Sequence, residues 1–180
     1  MLFTFKDCKA RFGSAYQIDK AVREGCLFKL AAGVYSDTGT ESEIELIEAQ
    51  YPKSVLSMDS AYFYYEMIDE LPEQYTLVTA NNAMRIPNPL VRQLYVPAAA
   101  LMVGVTTLDY DGEKLRIYDL ERLLIETARM KNLMPSDVYK EVVLWYRNNL
   151  TKLDSAKLGE YAAVFPHKDR ILSIIDEEVF

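Results

Sequence analysis

Two glycines, Gly13 and Gly25, punctuate the start of the chain and constrain its fold more than any other sequence feature. Apolar residues recur at helical spacing in the segment before Gly13 and again between the two glycines. A glycine suits both a tight turn and the position that follows a helix. The pattern therefore predicts two short helices, over 4–11 and 15–24, joined by a tight turn.

The residues on either side of these segments support the same interpretation. Thr4 and Ser14 are suitable N-caps, because each offers a hydroxyl oxygen to the first free backbone N–H groups of a helix. After Gly25 the chain alternates between short apolar runs and small residues, which predicts a hairpin of 27–30 with 34–36. Helix, turn, helix and hairpin in this order predict a small winged helix-turn-helix.

Charge is distributed unevenly along the sequence. Residues 1–36 contain six basic and three acidic residues, a net charge of +3, within a chain whose total is −7. The remaining residues contain 14 basic and 24 acidic side chains, a net charge of −10. Binding to phosphate requires a positive surface only where the protein touches nucleic acid. The distribution favours a protein in which one end contacts DNA and the acidic remainder stays away from it.

The second predicted helix has one apolar face and one polar face. Ile18, Ala21 and Val22 lie at positions i, i+3 and i+4 and predict the buried side. A helix of this kind inserts its first turns into the major groove, where Arg and Gln side chains read base edges. The candidate DNA-binding residues are Ser14, Tyr16, Gln17, Lys20 and Arg23, with Lys29 on the wing.

Beyond residue 36 the pattern changes to a mixed sheet followed by helices. The polar segment 36–39 predicts a boundary, and Thr40 with Glu43 forms a capping-box pattern for a helix to about residue 50. From Asp119 onwards apolar residues at helical spacing predict four helices. The predicted strands are 54–56, 75–79, 91–96, 103–108 and 114–118. The expected fold class is α+β, with a helical C-terminal tail.

Several classes of site receive little support from the sequence. No apolar run approaches the length of a membrane span, and Met1 to Lys9 lack the basic-then-apolar pattern of a signal peptide, so we expect a cytoplasmic protein without a membrane partner. Cys8 and Cys26 lack metal-ligand spacing and are expected to be buried thiols. His167 is expected in an exposed turn. We expect no catalysis, no cofactor and no metal site.

Carboxylates leave one enzymatic alternative open. Asp109 and Asp111 lie in a predicted hairpin, and Asp119 follows one strand later. A metal-dependent nuclease needs such acids to converge from neighbouring strands. The same residues also suit an ordinary hairpin tip and a helix N-cap.

Three motifs together resemble the AbiEi family of antitoxins from type IV toxin–antitoxin (abortive infection) operons. The resemblance covers most of residues 3–130. The motifs are Gly25-x-Leu27-x-x-Leu30-x-x-Gly33-Val34-Tyr35, Tyr51-Pro-x-x-Val-Leu-Ser57 leading to Ser60-Ala61, and Ile117-Tyr-Asp-x-Glu121-Arg122-Leu-Leu124.

The resemblance implies a transcriptional repressor that binds inverted repeats in the promoter of its own operon through the winged helix. It also implies an antidote to a nucleotidyltransferase-like toxin, without a stable complex between the two, and a homodimer is one expected assembly. Residues 1–37 are then the winged helix-turn-helix, and residues 40–180 are an antitoxin-like α/β domain that ends in a helical bundle.

One departure from the family supports an alternative. Family members usually have a helix before the segment that corresponds to Phe3-Thr-Phe-Lys-Asp7, whereas this sequence starts at Met1. The alternative is a protein-interaction module, in which the acidic part binds a protein and the shortened winged helix does not bind DNA.

Overall fold

A computed structural model describes all residues from 1 to 180. The chain forms two compact units, Met1–Lys53 and Ser54–Phe180. The division falls later than the predicted boundary near 37–40, because the helix that follows the wing packs on the wing strands and so belongs to the first unit. None of the helices has both the length and the apolar character needed to cross a membrane.

The first unit is a winged helix-turn-helix, as predicted. The elements are β1 (Leu2–Thr4), α1 (Phe5–Phe12), α2 (Ala15–Arg23), β2 (Phe28–Ala31), β3 (Val34–Ser36) and α3 (Glu43–Gln50). The three strands form an antiparallel sheet in the order β1-β3-β2, with β3 in the centre. Gly33, with φ of 76°, forms the turn between β2 and β3.

Local capping fixes where the first two helices begin. The Thr4 hydroxyl accepts from the backbone N–H of Asp7, and the Asp7 carboxylate accepts from the backbone N–H of Thr4 at 2.9 Å. The backbone N–H of Gln17 donates to Ser14 Oγ at 3.3 Å. Gly13, with φ of 85°, makes the turn between the helices. The predicted N-caps are therefore confirmed.

Two details of this unit differ from the sequence prediction. β1 was not predicted, because Phe3 fits the helical spacing of the residues that follow it, yet its backbone pairs with Tyr35 of β3. The predicted capping box of Thr40 and Glu43 is wrong, since Ser42 and Glu45 form the box that starts α3.

The interior of the first unit is small and apolar. Cys8 of α1 and Ile18 of α2 are almost fully buried, together with residues from the turn and the sheet. Cys26 is exposed, so the prediction of two buried thiols is right for Cys8 and wrong for Cys26. The complete cluster is Cys8, Ile18, Ala21, Leu27 and Tyr35, with Phe3, Phe12 and Val22 packed against it. This core holds α2 against the sheet and leaves its other side at the surface.

The second unit contains a five-stranded mixed sheet, followed by a helical tail. Its strands are β4 (Val55–Leu56), β5 (Tyr75–Ala80), β6 (Val91–Val96), β7 (Val105–Tyr110) and β8 (Glu113–Tyr118). Their order in the sheet is β6-β5-β4-β8-β7. The β5–β6 and β4–β8 pairs are parallel, whereas the β4–β5 and β7–β8 pairs are antiparallel. Its helices are α4 (Met58–Tyr64), α5 (Leu120–Met130), α6 (Ser136–Asn148), α7 (Ser155–Ala162) and α8 (Lys168–Glu178).

Helix α5 is the centre of the second unit. Every residue from 121 to 128 is buried, and α7 and α8 both pack against this helix. All four predicted C-terminal helices are present, and His167 is exposed in a left-handed turn before α8. The predicted α+β fold with a helical tail is confirmed.

Candidate nucleic-acid interface

The exposed face of α2 carries most of the candidate DNA-binding residues. Ile18 and Ala21 point into the core, and residues that lie opposite them on the helix face solvent. Tyr16, Lys20 and Arg23, at positions i, i+4 and i+7, form one stripe on that exposed side. Tyr16 is 67% exposed although it is a large aromatic residue. The fold therefore presents a tyrosine, a lysine and an arginine side by side.

Two polar residues at the start of α2, Ser14 and Gln17, lie beside this stripe. Gln17 is exposed and its backbone N–H is held by the Ser14 side chain. The first turn of a recognition helix is the part that approaches base edges. Ser14 thus fixes the position of this turn, and Gln17 offers an amide that matches the donor and acceptor pair on adenine.

The two cations on α2 have only weak partners within the chain. Lys20 Nζ lies 3.7 Å from Glu24 Oε1, and both side chains are more than half exposed. Arg23 Nε donates to the backbone carbonyl of Asp19 at 3.3 Å. An exposed ion pair of this kind contributes about 0–1 kcal/mol. A phosphate group therefore competes with these partners at small energetic cost.

The wing contributes Lys29, which is exposed in β2 opposite Tyr35 of β3. Its neighbour Phe28 is also partly exposed, and Gly39 packs against the Phe28 ring. A Cβ atom at Gly39 would lie 2.9 Å from Cγ of Phe28, and Gly39 has φ of 72°. Glycine at this position allows the segment after the wing to lie against β2.

Helix α1 carries further cations beside the six predicted site residues. Lys6 and Lys9 are exposed on α1, and the guanidinium of Arg11 lies over the rings of Phe3 and Phe12 at 5.5 and 5.4 Å. In a helix-turn-helix the first helix crosses the phosphate backbone. These three residues supply half of the basic side chains in residues 1–36, and that positive charge is the sequence signal that points to them.

The positive charge of the winged helix is local. Residues 1–53 contain seven basic and eight acidic residues, because the segment from 37 to 48 is acidic. One of these acidic residues, Glu41, forms hydrogen bonds within the first unit. Burial favours a higher pKa for Glu41, but hydrogen bonds from Ser36, the N-terminal ammonium and Thr38 outweigh burial and lower the pKa to about 2. This carboxylate therefore satisfies internal donors rather than facing a ligand.

The charged residues of the motif from Ile117 to Leu124, in the second unit, are buried or half-buried rather than exposed. Arg122 is 0% exposed, and its guanidinium donates to the backbone carbonyls of Ala100 and Val103, both at 2.6 Å. Arg122 Nε donates to Glu126 at 2.9 Å, and the guanidinium lies 4.2 Å from the ring centre of Tyr118. Every direction around this guanidinium is thus occupied by the protein itself, so the motif is structural.

Neighbouring residues of the same motif also serve the fold. Asp119 Oδ1 caps α5 by accepting from the backbone N–H of Arg122, and Oδ2 accepts from the Tyr161 hydroxyl at 3.1 Å. Burial raises the pKa of Asp119. Glu121 accepts from the backbone N–H of Asp154 at 2.8 Å. These carboxylates join α5 to the segments around α7.

The carboxylates considered for a nuclease do not converge. Asp109 lies opposite Lys114 in the strand register near the tip of the β7–β8 hairpin, and Asp111 lies in the turn at this tip. Asp119 instead follows the far end of β8. Five residues of extended strand separate these ends by roughly 17 Å. No group of three or more His, Cys, Asp or Glu side chains is placed to hold a metal ion.

The structure thus presents all six predicted residues on the surface of the first unit. Five belong to α2 or its cap, and Lys29 belongs to the wing. Their role in DNA binding stays a prediction, since exposure and charge describe the surface and not its ligand.

Comparison with known proteins supports the fold. No family model matches the chain, and no curated protein matches it. Among solved structures, the RV2827C protein from Mycobacterium tuberculosis is similar, with a TM-score of 0.67 and 17% sequence identity. The similarity covers 99% of this chain and 72% of that chain. At this level of identity the likeness concerns the fold alone.

Proposed function

We propose that this protein is a DNA-binding transcriptional regulator and antitoxin-like protein. The winged helix binds inverted repeats in the promoter of its own operon, and the second unit counters a nucleotidyltransferase-like toxin without catalysis. Both activities take place in the cytoplasm. The observation that carries DNA binding is the stripe of Tyr16, Lys20 and Arg23, which is exposed on α2 directly opposite the buried Ile18.

The chemistry of the stripe suits a duplex. Lys20 and Arg23 neutralise phosphates or donate to guanine, and Gln17 pairs with adenine in the major groove. Lys29 on the wing and Lys6 and Lys9 on α1 are suited to hold the backbone on either side. An inverted repeat requires two copies of α2 about 34–36 Å apart, so the proposal includes a homodimer on DNA.

The test is a titration of the full chain against a labelled duplex from the region upstream of its own gene, at several salt concentrations. Each phosphate contact contributes about −0.9 to the slope of log K against log salt. Lys20→Ala or Arg23→Ala weakens binding at least about fivefold, because a base contact contributes about 1–3 kcal/mol. Lys140→Ala removes an exposed helical lysine from the second unit and is the matched control.

The antitoxin role is tested separately, by co-expression with the product of the neighbouring open reading frame. The full chain restores growth, and the Lys20→Ala, Arg23→Ala double variant does so equally well, because this role belongs to the second unit. DNA affinity that is unchanged in both single variants contradicts the first half of the proposal. A failure to restore growth contradicts the second half.

A further inference from the structure

Helices α7 and α8 border a groove on the second unit with a volume of about 700 Å³. Leu158 and Gly159 of α7 form one side, and Asp169, Leu172 and Asp176 of α8 form the other, with Phe180 at one end. The three α8 residues lie at i, i+3 and i+7, so they form a single stripe along the helix. The groove is therefore bounded by two helix faces along its length.

Gly159 in the groove is not explained by the packing of the chain itself. The other six glycines have positive φ, which favours glycine, whereas Gly159 lies in the middle of α7 with a helical backbone. A Cβ atom added to Gly159 meets no other atom within 4 Å, so no neighbour excludes a side chain. Glycine lowers helix stability relative to alanine. Its presence leaves this position in the groove without a side chain.

Apolar and acidic residues occupy different parts of the groove. Leu158 is nearly fully buried beneath the opening, and Phe180 is 57% exposed at its end. Asp169 and Asp176 line the groove about two turns apart, and no basic residue lines it. Residues 54–180 contain 13 basic and 19 acidic residues, so the second unit as a whole also has a negative net charge.

We propose that this α7–α8 groove binds a short amphipathic helix of a partner protein, with apolar residues against Leu172 and Phe180 and Lys or Arg beside the two aspartates. The span from Asp169 to Phe180 along α8 corresponds to about 16 Å, or three turns of a bound helix. Helix-in-groove recognition uses apolar anchors at i, i+3 or i+4, and i+7, which matches a groove of this length that combines apolar and acidic residues. Charge complementarity with the aspartates selects a basic segment over an acidic one. The inference is independent of DNA binding by the first unit.

The experiment uses two fluorescein-labelled synthetic helical peptides of about 14 residues with identical leucine spacing. One peptide has lysines at the flanking positions and the other has glutamates. Each is titrated with the full chain, and binding is followed by fluorescence anisotropy at about 50 mM and about 500 mM salt. The lysine peptide is expected to bind at least about tenfold more tightly at low salt, and high salt is expected to narrow this difference.

Three variants locate the binding site. Asp169→Asn with Asp176→Asn is expected to weaken the lysine peptide about tenfold. Asp137→Asn with Glu141→Gln removes two exposed charges from α6, including one in the first turn as in α8, and is expected to change nothing. Gly159→Leu fills the groove and is expected to abolish binding, with helicity checked by circular dichroism. The double aspartate variant keeps the test valid if the leucine variant does not fold.

Three results overturn the proposal. The first is equal affinity for the two peptides, or binding of neither at millimolar protein. The second is an affinity that does not respond to the double aspartate variant. The third is a doubling of molecular mass with concentration that Gly159→Leu prevents, because the groove is then occupied by a second copy of this chain.

Discussion

Each unit contains a helix rich in charged residues, and the two helices hold their charges in opposite environments. On α2 of the first unit, Lys20 and Arg23 are exposed, and the nearest carboxylate oxygen to Lys20 Nζ is 3.7 Å away on an exposed Glu24. On α5 of the second unit, Arg122 and Glu126 are buried and joined at 2.9 Å. Both sets pair a basic side chain with a glutamate, but only the α2 charges are exposed and so available to a ligand.

Burial decides the energetic role of each set. An exposed pair contributes about 0–1 kcal/mol, because water solvates both charges equally well when they separate. Loss of one partner from a buried pair costs about 3–5 kcal/mol, because the groups left behind have neither water nor protein to bind. The comparison predicts that substitutions on α5 alter stability, whereas substitutions on α2 alter binding.

The largest expected effect is that of Arg122→Ala. The variant leaves the carbonyl oxygen of Val103 without its arginine donor, and it leaves that of Ala100 with only the backbone N–H of Val103 at 3.3 Å. It also removes the guanidinium from the rings of Tyr118 and Phe165. We expect a loss of about 3–5 kcal/mol in the free energy of unfolding, measured by urea denaturation.

The matched control for this prediction is Arg23→Ala on α2. An exposed arginine in a helix is expected to change the free energy of unfolding by no more than about 0.5 kcal/mol. Equal effects of the two substitutions would contradict the distinction between the helices.

The next largest effect is expected at Gly104, which packs on the base of the same arginine. A Cβ atom at Gly104 would lie 2.4 Å from Cβ of Arg122, and the backbone has φ of 74°. Gly104→Ala therefore combines steric conflict with strain, and we expect a loss of about 2–3 kcal/mol by thermal or urea unfolding.

Gly112→Ala separates these two contributions. Gly112 has φ of 87° in the β7–β8 turn, but a Cβ atom there meets nothing within 4 Å. The variant is expected to cost about 1 kcal/mol from backbone strain alone. If both alanine variants cost the same, close packing around Arg122 is not what requires glycine at position 104.

A smaller effect is expected at Ser14, which is both the N-cap of α2 and a predicted DNA-binding residue. Ser14→Ala removes the N-cap of α2 and is expected to cost about 1 kcal/mol. Ser14→Asp keeps the cap but adds a carboxylate at the end of the helix that we expect to face phosphate. The aspartate variant should therefore unfold like the native chain and bind the duplex more weakly. Unchanged duplex affinity in this variant would place the start of α2 away from DNA.

Local signals account for the parts of the fold that the sequence predicted. The caps at Thr4 and Ser14 and the glycines that follow each helix act within a few residues, so their pattern is visible without tertiary context. The exposure of Tyr16, Lys20 and Arg23 follows in the same way from helical spacing against Ile18.

Long-range contacts account for what the sequence did not predict. Strand β1 has three residues and exists through its pairing with β3, which lies about 30 residues away. The start of α3 was misplaced because Thr40 and Ser42 each precede a glutamate by three residues, so the local pattern offers two capping boxes. Glu41, which lies between them, accepts from the hydroxyls of Ser36 and Thr38, and these contacts tie this segment back to the end of β3. The burial of Arg122 requires carbonyl groups some 20 residues earlier, which no local pattern indicates.

The smallest expected effect, at Glu24, sharpens the comparison most directly, because this residue is the one carboxylate paired with the α2 stripe. Glu24→Gln removes the partner of Lys20 and a negative charge that repels phosphate. The free energy of unfolding is expected to change by less than about 0.5 kcal/mol, since both side chains are exposed. Duplex affinity is expected to rise about twofold to threefold at low salt, and the gain should fade as salt screens the charges.

On α5 the equivalent substitution, Glu126→Gln, weakens a buried pair and is expected to lower the free energy of unfolding without altering duplex affinity. If Glu24→Gln instead destabilises the chain and leaves duplex affinity unchanged, the charges of α2 serve the fold as those of α5 do, and the winged helix is a packing element.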